Sequence, residues 1–391
     1  MPNISPLHAI LVCALLVIGT VIGLAGIDLV LPAIPDLPAV LGGNASIAQF
    51  VIAAYSAGTI IGVLTFGALS DRFDRRHLMI IGVGSFALIS LACANAQNIF
   101  VLIGLRFLQG IVATAPVVFA PGMIRALFSE QGAIRAMGVL SSIESLAPAL
   151  APIAGLWLLL QFGWQASFLV TALLAAGLAV VFLFDQTLPP VATTQRKAGS
   201  YLLLLRNATF LRYALSQAFA LGGVLVFVFG APVVIVNSMS GELTDFIAIQ
   251  IAGISSFILA TNTTGFLAER FGAERMIYIG AGLAVLGTVL LFSYAMIGGN
   301  NPAVLIFLFI PLNFGFGLRG PLGFYRGLVA ANGDDDRASS LIILSVTMVV
   351  TIGTALFAPF IDFGLPALTF AALLIEVIAI ALLIFLPPLQ E

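Results

Sequence analysis

The stretch Gly67-Ala68-Leu69-Ser70-Asp71-Arg72-Phe73 returns 198 residues later as Gly265-Phe266-Leu267-Ala268-Glu269-Arg270-Phe271, about half the length of a 391-residue chain. A repeat at half-chain spacing points to two equivalent halves. What lies around each copy decides what those halves are. The chain is 61% hydrophobic and 8% charged, with a mean hydropathy of +1.17. A soluble domain carries roughly 25% charged residues, so a water-soluble globule and a disordered chain are both excluded. The chain belongs in a bilayer. A spanning helix takes about 20 apolar residues, so twelve spans use roughly 240 and leave no room for a soluble catalytic domain.

Twelve apolar segments are legible, at about 8–33, 46–67, 77–96, 99–125, 134–160, 165–184, 209–236, 245–267, 275–297, 303–327, 338–361 and 365–386. Runs such as Ala371 to Leu386 are apolar on all sides and too long for barrel strands, so the expected class is all-α. The breaks after even-numbered spans carry the basic residues: Arg72, Arg75 and Arg76; Arg125 and Arg135; Arg196, Lys197, Arg206 and Arg212; Arg270 and Arg275; Arg326 and Arg337. Breaks after odd-numbered spans carry Asp36, Glu242, Asp245 and Asp362 and no Lys or Arg. Positive charge stays on the cytoplasmic side, so both ends are expected there. Six spans per half is an even number, which makes the halves parallel repeats. The expected division is a six-helix bundle over 1–184, a cytoplasmic linker over 185–208 and a second bundle over 209–391. No Lys or Arg precedes the first apolar run, which is read as a retained helix and not a cleaved signal. Cys13 and Cys93 sit in apolar runs without ligand-type neighbours and read as space-filling.

A 6+6 parallel repeat with Gly-x-x-x-Asp-Arg between spans two and three resembles the major facilitator superfamily. The turn Gly67, Asp71, Arg72, Arg75, Arg76 looks like that superfamily's motif A, with Asp74 in place of the usual glycine. Gly265, Glu269 and Arg270 form a degenerate second copy. An acid and several arginines on a tight turn can join helix ends by charge-assisted hydrogen bonds, and in the family such contacts hold one access state closed. Arg106-Phe107-Leu108-Gln109-Gly110 looks like motif B of drug:proton antiporters, where the arginine is linked to proton coupling. Pro148, Pro152 and Gly155, followed by Phe162-Gly163-Trp164, are similar to the antiporter motif C as used by the bicyclomycin-resistance (Bcr/CflA) branch, and Asp28-Leu29-Val30-Leu31-Pro32 matches that branch too. In the family, the motif C stripe packs against the other half.

Charges inside spans carry a cost of about 2.5 kcal/mol or more unless they meet a cavity or a partner. Arg106 lies roughly 12 Å deep, and Asp28, at comparable depth, is its expected partner. A carboxylate beside a fixed cation can change its proton affinity as hydration changes, which is what proton coupling requires; a static ion pair fixing helix register is the alternative. Glu144 shares a helical stripe with Pro148, Pro152 and Gly155, and is either a second titrating carboxylate or a protonated acid hydrogen-bonded across an interface. Glu376 is expected on a peripheral helix, neutral or locally satisfied, and Arg319 is expected to snorkel to the headgroups. Asn262 and Asn313 are candidate cavity donors. His8 and His77 are expected at the interface. The 31 phenylalanines permit an aromatic cavity for lipophilic cations.

These features predict a proton-coupled antiporter, not an enzyme, of a bacterial inner membrane. It would export small lipophilic or amphipathic compounds by rocking of the two halves, as a monomer. A proton gradient would drive it without a cofactor, a metal or nucleic acid, and no P-loop suggests ATP coupling. The alternatives are a dedicated transporter of one metabolite, such as a siderophore, sugar or amino-acid derivative, and a transport-inactive sensor.

Overall fold

The computed structural model describes residues 6–184 and 200–389. Twelve long helices follow one another: α1 Pro6–Asp28, α2 Ala45–Leu69, α3 Arg75–Ala94, α4 Ile99–Leu127, α5 Glu130–Phe162, α6 Gln165–Phe184, α7 Ala208–Ser238, α8 Leu243–Phe271, α9 Ala273–Met296, α10 Pro302–Ala330, α11 Asp335–Phe357 and α12 Leu365–Phe385. Eleven are long and apolar enough to cross a membrane; α5 makes a twelfth span, bent by 42° between Pro148 and Leu150. Proline removes a backbone donor and crowds the preceding turn, which accounts for the bend. The all-α expectation and each apolar segment thus have their helix.

Polar residues at the breaks start these helices. Asn44 accepts a hydrogen bond from Ile47 N–H, Asn98 from Val101 N–H and Asn207 from Phe210 N–H, at 2.9, 2.9 and 3.1 Å. Each satisfies one of the orphaned donors of a first turn. Asp74, the residue that departs from the motif, does the same for α3 by accepting from Arg76 N–H. Gly272, with φ +87°, is the single residue between α8 and α9, a left-handed position that favours glycine.

Two of the expected spans, found at Leu7–Ala33 and Asp335–Phe363, are not α-helical to their ends. The first apolar run continues to residue 33, but α1 ends at Asp28 and gives way to a 3-10 turn, Leu31–Ala33, and a short helix, Leu37–Leu41. Pro32, Pro35 and Pro38 cannot supply the donors that would carry the helix on. α11 likewise passes at Phe357 into a 3-10 turn, Ala358–Phe363, that contains Pro359.

Two compact units divide the chain, one of Met1–Ser129, Ile143–Gly199 and Asp334–Ser340, the other of Glu130–Ser142, Ser200–Gly333 and Leu341–Glu391. The first turns of α5 fall in the second unit and those of α11 in the first. The expected linker lies outside the described residues up to 199; from Ser200 it forms a short helix, Tyr201–Leu205. In the first unit α4 packs on α1, α2 and α3, and α6 on α1 and α3. In the second, α10 packs on α7, α8 and α9, and α12 on α7 and α9. Adding six to each helix number converts one set of pairings into the other, so the sequence repeat is a structural repeat. Each unit has its own apolar core, Val51, Leu102 and Phe168 among the buried residues of one, Phe227, Leu291 and Phe309 of the other. Outward-facing positions are also apolar, as at Leu88, Leu173, Phe307 and Phe385, which suits a surface covered by lipid.

Candidate functional site

Arg106 lies in the first unit with 0% exposure. Its Nη1 donates to the Gly26 carbonyl at 2.8 Å and to Gln109 Oε1 at 2.7 Å, and its Nε to the Val51 carbonyl at 3.2 Å. The guanidinium stands 4.3 Å from the centre of the Tyr55 ring and 5.8 Å from that of Phe168, within cation–π range. Gln109 Nε2 donates to Ser90 Oγ at 2.7 Å, and Tyr55 Oη to the Gly23 carbonyl at 2.7 Å. One buried cation therefore ties α1, α2 and α4 together directly, and α3 through Gln109.

The expected pair between Arg106 and Asp28 does not form. The guanidinium takes the Gly26 carbonyl instead, two residues earlier, and its Nη2 has no hydrogen-bond partner among the described residues. Asp28 is half-buried at the last position of α1, and among the described residues no cation pairs with it. Its charge and that of Arg106 both act on the Tyr55 hydroxyl.

Immediately after Asp28, the Leu29 carbonyl accepts from Ser167 Oγ at 2.9 Å. A Cβ on Gly155 would overlap that same carbonyl, so the motif C glycine lets α5 press on the end of α1. At Gly155 the stripe packs on α1, within its own unit. Pro148 and Pro152 lie inside α5 at its bend. Glu144, on the same stripe and partly buried, has the Thr20 hydroxyl of α1 within hydrogen-bonding reach. Nothing in the sequence marks Thr20.

The turn between α2 and α3 is an ion-pair cluster. Arg337 grips Asp71 with both terminal nitrogens, Nη1 to Oδ1 at 2.9 Å and Nη2 to Oδ2, and also reaches Asp334 at 3.1 Å. Arg75 Nε donates to Asp336 Oδ2 at 2.7 Å, both side chains being almost fully buried, and Arg125 pairs with Asp335. Burial pushes the Asp334 carboxyl above its ordinary range, with Arg337 opposing the shift. Arg76 donates to the last carbonyls of α6, Phe182 at 3.1 Å and Leu183 at 3.2 Å, a favourable place for a cation. Gly67 is buried beneath the turn, its carbonyl accepting from Ser70 Oγ, while Arg72 is exposed. His77 is exposed 3.6 Å from Asp74. The sequence motif displays the arginines here but not the run Asp334-Asp335-Asp336 that answers them; three acids in an otherwise basic break are the signal that could have found it.

The degenerate copy is plainer. Glu269 pairs with Arg135 at 2.6 Å, both well exposed, and Gly265 leaves room for the Arg135 stem. Arg270 lies 5.5 Å from the Phe271 ring. Asn262 Nδ2 donates to Ser142 Oγ and to the Ile258 carbonyl, both at 2.8 Å, and the buried Asn313 to the Phe309 carbonyl at 3.0 Å. One expectation is overturned in the second unit. Arg319 does not snorkel: it is fully buried, with Nη2 donating to Ser216 Oγ at 2.9 Å. Glu376 is buried and not locally satisfied, since neither carboxylate oxygen has a partner among the described residues, which leaves the neutral acid as the remaining reading.

Paired six-helix sets with matching internal contacts, a bilayer-length apolar span in each helix and buried charges inside them define a multi-pass membrane transporter. The chain belongs to the Major Facilitator Superfamily, which it matches over residues 16–358. It is 31% identical over 305 residues to "Uncharacterized MFS-type transporter YdgK" of Bacillus subtilis, covering 74% of each chain. It is 27% identical over 278 residues to the "Bicyclomycin resistance protein homolog" of Haemophilus influenzae, covering 70% of each. Against "Multidrug resistance protein MdtL" of Escherichia coli it is 31% identical over 237 residues, 59% of this chain and 60% of the other. Among solved structures, the transporter FucP in its outward conformation superposes with a TM-score of 0.76 over 97% of this chain and 99% of that one, at 16% identity. The proton:xylose symporter XylE gives 0.74 over 97% and 95%, at 15% identity. At such identities the likeness is one of fold.

Proposed function

We propose that the chain is a proton-coupled antiporter of a bacterial cytoplasmic membrane that exports small lipophilic or amphipathic compounds by alternating access. The observation that carries this reading is the arrangement of Asp28 and Arg106. Arg106 is immobilised by carbonyls and ring faces, so its charge is a fixed feature of the site. Asp28, half-buried and with no cation paired to it among the described residues, is free to take up a proton or to meet substrate. A carboxylate near, but not bonded to, a fixed cation changes proton affinity when its hydration or neighbours change. Glu144, on the motif C helix with Thr20 beside it, supplies a second carboxylate about 12 Å along α1 from Asp28.

The resistance names carried by the Haemophilus and Escherichia relatives support export of drug-like compounds. The basic breaks support a cytoplasmic position for the ion-pair turn, where its contacts would hold one access state closed.

Proteoliposomes containing a pH-sensitive dye test the reading, with bicyclomycin, chloramphenicol and a lipophilic cation as probes. Addition of a transported probe is expected to drive proton movement that Asp28→Asn abolishes. Transport without proton flux would replace the antiporter by a uniporter, and binding without transport would point to a sensor. Proton flux that survives Asp28→Asn would mean that Asp28 is not the coupling carboxylate.

A further inference from the structure

Arg319 on α10 and Glu376 on α12 lie inside the second unit, at 0% and 1% exposure. They belong neither to the Arg106 network nor to the ion-pair turn. Besides the bond from Nη2 to Ser216, the guanidinium makes no hydrogen bond among the described residues: Nε and Nη1 are unpartnered there, as are both oxygens of Glu376. The two groups nevertheless feel one another's charge. They are close enough to attract and are not joined.

The second unit makes room for this acid. Gly223 of α7 faces it so closely that a Cβ there would come within 2.8 Å of Glu376 Oε1 and 3.0 Å of its Cγ. A polar column also runs from this depth toward one end of the unit. Arg319 reaches Ser216, Ser216 Oγ donates to the Tyr213 carbonyl at 3.3 Å, and the Tyr213 hydroxyl donates to Glu274, which is partly exposed. Ten residues of α7 separate Tyr213 from Gly223, about 15 Å of helix. The elements packed on α12 carry other ionisable groups: Arg212 and Tyr213 on α7, Glu274, Arg275, Tyr278 and Tyr294 on α9, and Asp362 on the 3-10 turn. α10 adds Arg326, and α11 carries its charges in its first turn, Asp335 to Arg337. Of all these and Arg319, Arg319 alone acts on Glu376.

Two separated, buried charges with unsatisfied atoms are the costliest way to hold such a pair. Two arrangements lower that cost. In one, the groups stay apart and the acid is neutral; in the other, the carboxylate closes onto Arg319 and is ionised.

We infer that Glu376 is a second proton-exchange site, inside the second unit and separate from Asp28, protonated when it stands apart from Arg319 and deprotonated when it closes onto the guanidinium. On release the carboxylic O–H bond breaks, the proton passes to water, and the carboxylate pairs with Arg319. Nothing is oxidised or reduced.

Infrared spectroscopy of the full-length protein in lipid nanodiscs tests this without any substrate. In an Asp28→Asn, Glu144→Gln background, a carboxylic-acid carbonyl band is expected to persist and to bleach reversibly as pH is raised. Adding Glu376→Gln should abolish the band, and adding Arg319→Gln, which removes the countercharge, should move the bleach to higher pH. No band in the background, a band that survives Glu376→Gln, or one that bleaches at no pH would overturn the inference. Should Glu376→Gln not fold, Glu376→Asp serves: the shorter acid must shift the band frequency, and an unshifted band overturns the inference equally. Failure here leaves the antiport reading untouched, because neither cargo nor Asp28 enters the measurement.

Discussion

Replacing Arg75 with methionine should release the first turns of α11 from the first unit. Arg75 and Asp336 meet at 2.7 Å with side-chain exposures of 7% and 3%, so removal of the cation strands a buried carboxylate. Breaking a buried pair in this way costs about 3–5 kcal/mol. The cluster holds Asp71, Asp334, Asp335 and Asp336 against Arg75, Arg125 and Arg337. Acids already outnumber arginines, and the loss of Arg75 worsens the imbalance. Arg125 and Arg337 take up part of the stranded charge, which favours the lower figure, equivalent to roughly a hundredfold rise in the undocked population. Ser340 provides the reporter. It is fully buried on α11 and donates to the Val63 carbonyl at 2.8 Å. With Cys13 and Cys93 replaced by alanine, the thiol of Ser340→Cys should react slowly in the parent and about a hundredfold faster with Arg75→Met, provided reclosing outpaces labelling. The double change Arg75→Met, Asp336→Leu should restore most of the protection, because an apolar pair carries no stranded charge. A labelling rate within about threefold of the parent would mean a contribution no larger than that of an exposed pair, and would refute the reasoning.

Asp334, whose carboxyl is raised by burial, binds its proton more tightly when α11 is docked. Docking should therefore weaken as pH rises from the ordinary carboxylate range through the raised value, and Asp334→Asn should flatten that slope in the same labelling assay. Gly155→Leu would drive a side chain into the Leu29 carbonyl; a loss of about 1–3 kcal/mol is expected, read as a lower unfolding temperature in detergent, together with loss of transport. Glu269→Gln removes an exposed pair and should change thermal stability by less than about 1 kcal/mol. Arg106→Lys keeps the charge but not the planar fork that serves Gly26, Val51 and Gln109; the variant should insert and fold with transport lost, measured as drug-driven proton flux.

Composition and periodicity carry the spans, the repeat and the identity of the buried charges, because an apolar run of bilayer length has one structural solution and each charge inside it stands out. Partnership is harder to read. The Arg106 guanidinium binds the carbonyls of Gly26 and Val51, and every residue owns a carbonyl, so no side-chain signal announces that choice. Position near a helix end points Arg319 toward the headgroups. Its true surroundings depend on which faces α7 and α12 present to α10, and uniformly apolar helices do not encode this in their pattern. Asp71 meets Arg337 across 266 positions of sequence, so the motif displays one half of a contact whose other half is marked by nothing but the run Asp334-Asp335-Asp336 beside Arg337. The early end of α1, by contrast, is visible in Pro32 and Pro35.

The exchange of α11's first turns into the first unit also sets an order of assembly. That unit's own arginine turn leaves the ribosome about 260 residues before Asp334 to Ser340, the segment that completes it. At about 10 residues per second, Asp71, Arg75 and Arg125 wait some tens of seconds for their partners during synthesis. An N-terminal fragment ending at the linker would keep them waiting indefinitely. The charged cluster is thus a late-closing clasp, and a chain truncated before residue 334 would betray itself by exposed, unmatched arginines at the membrane surface.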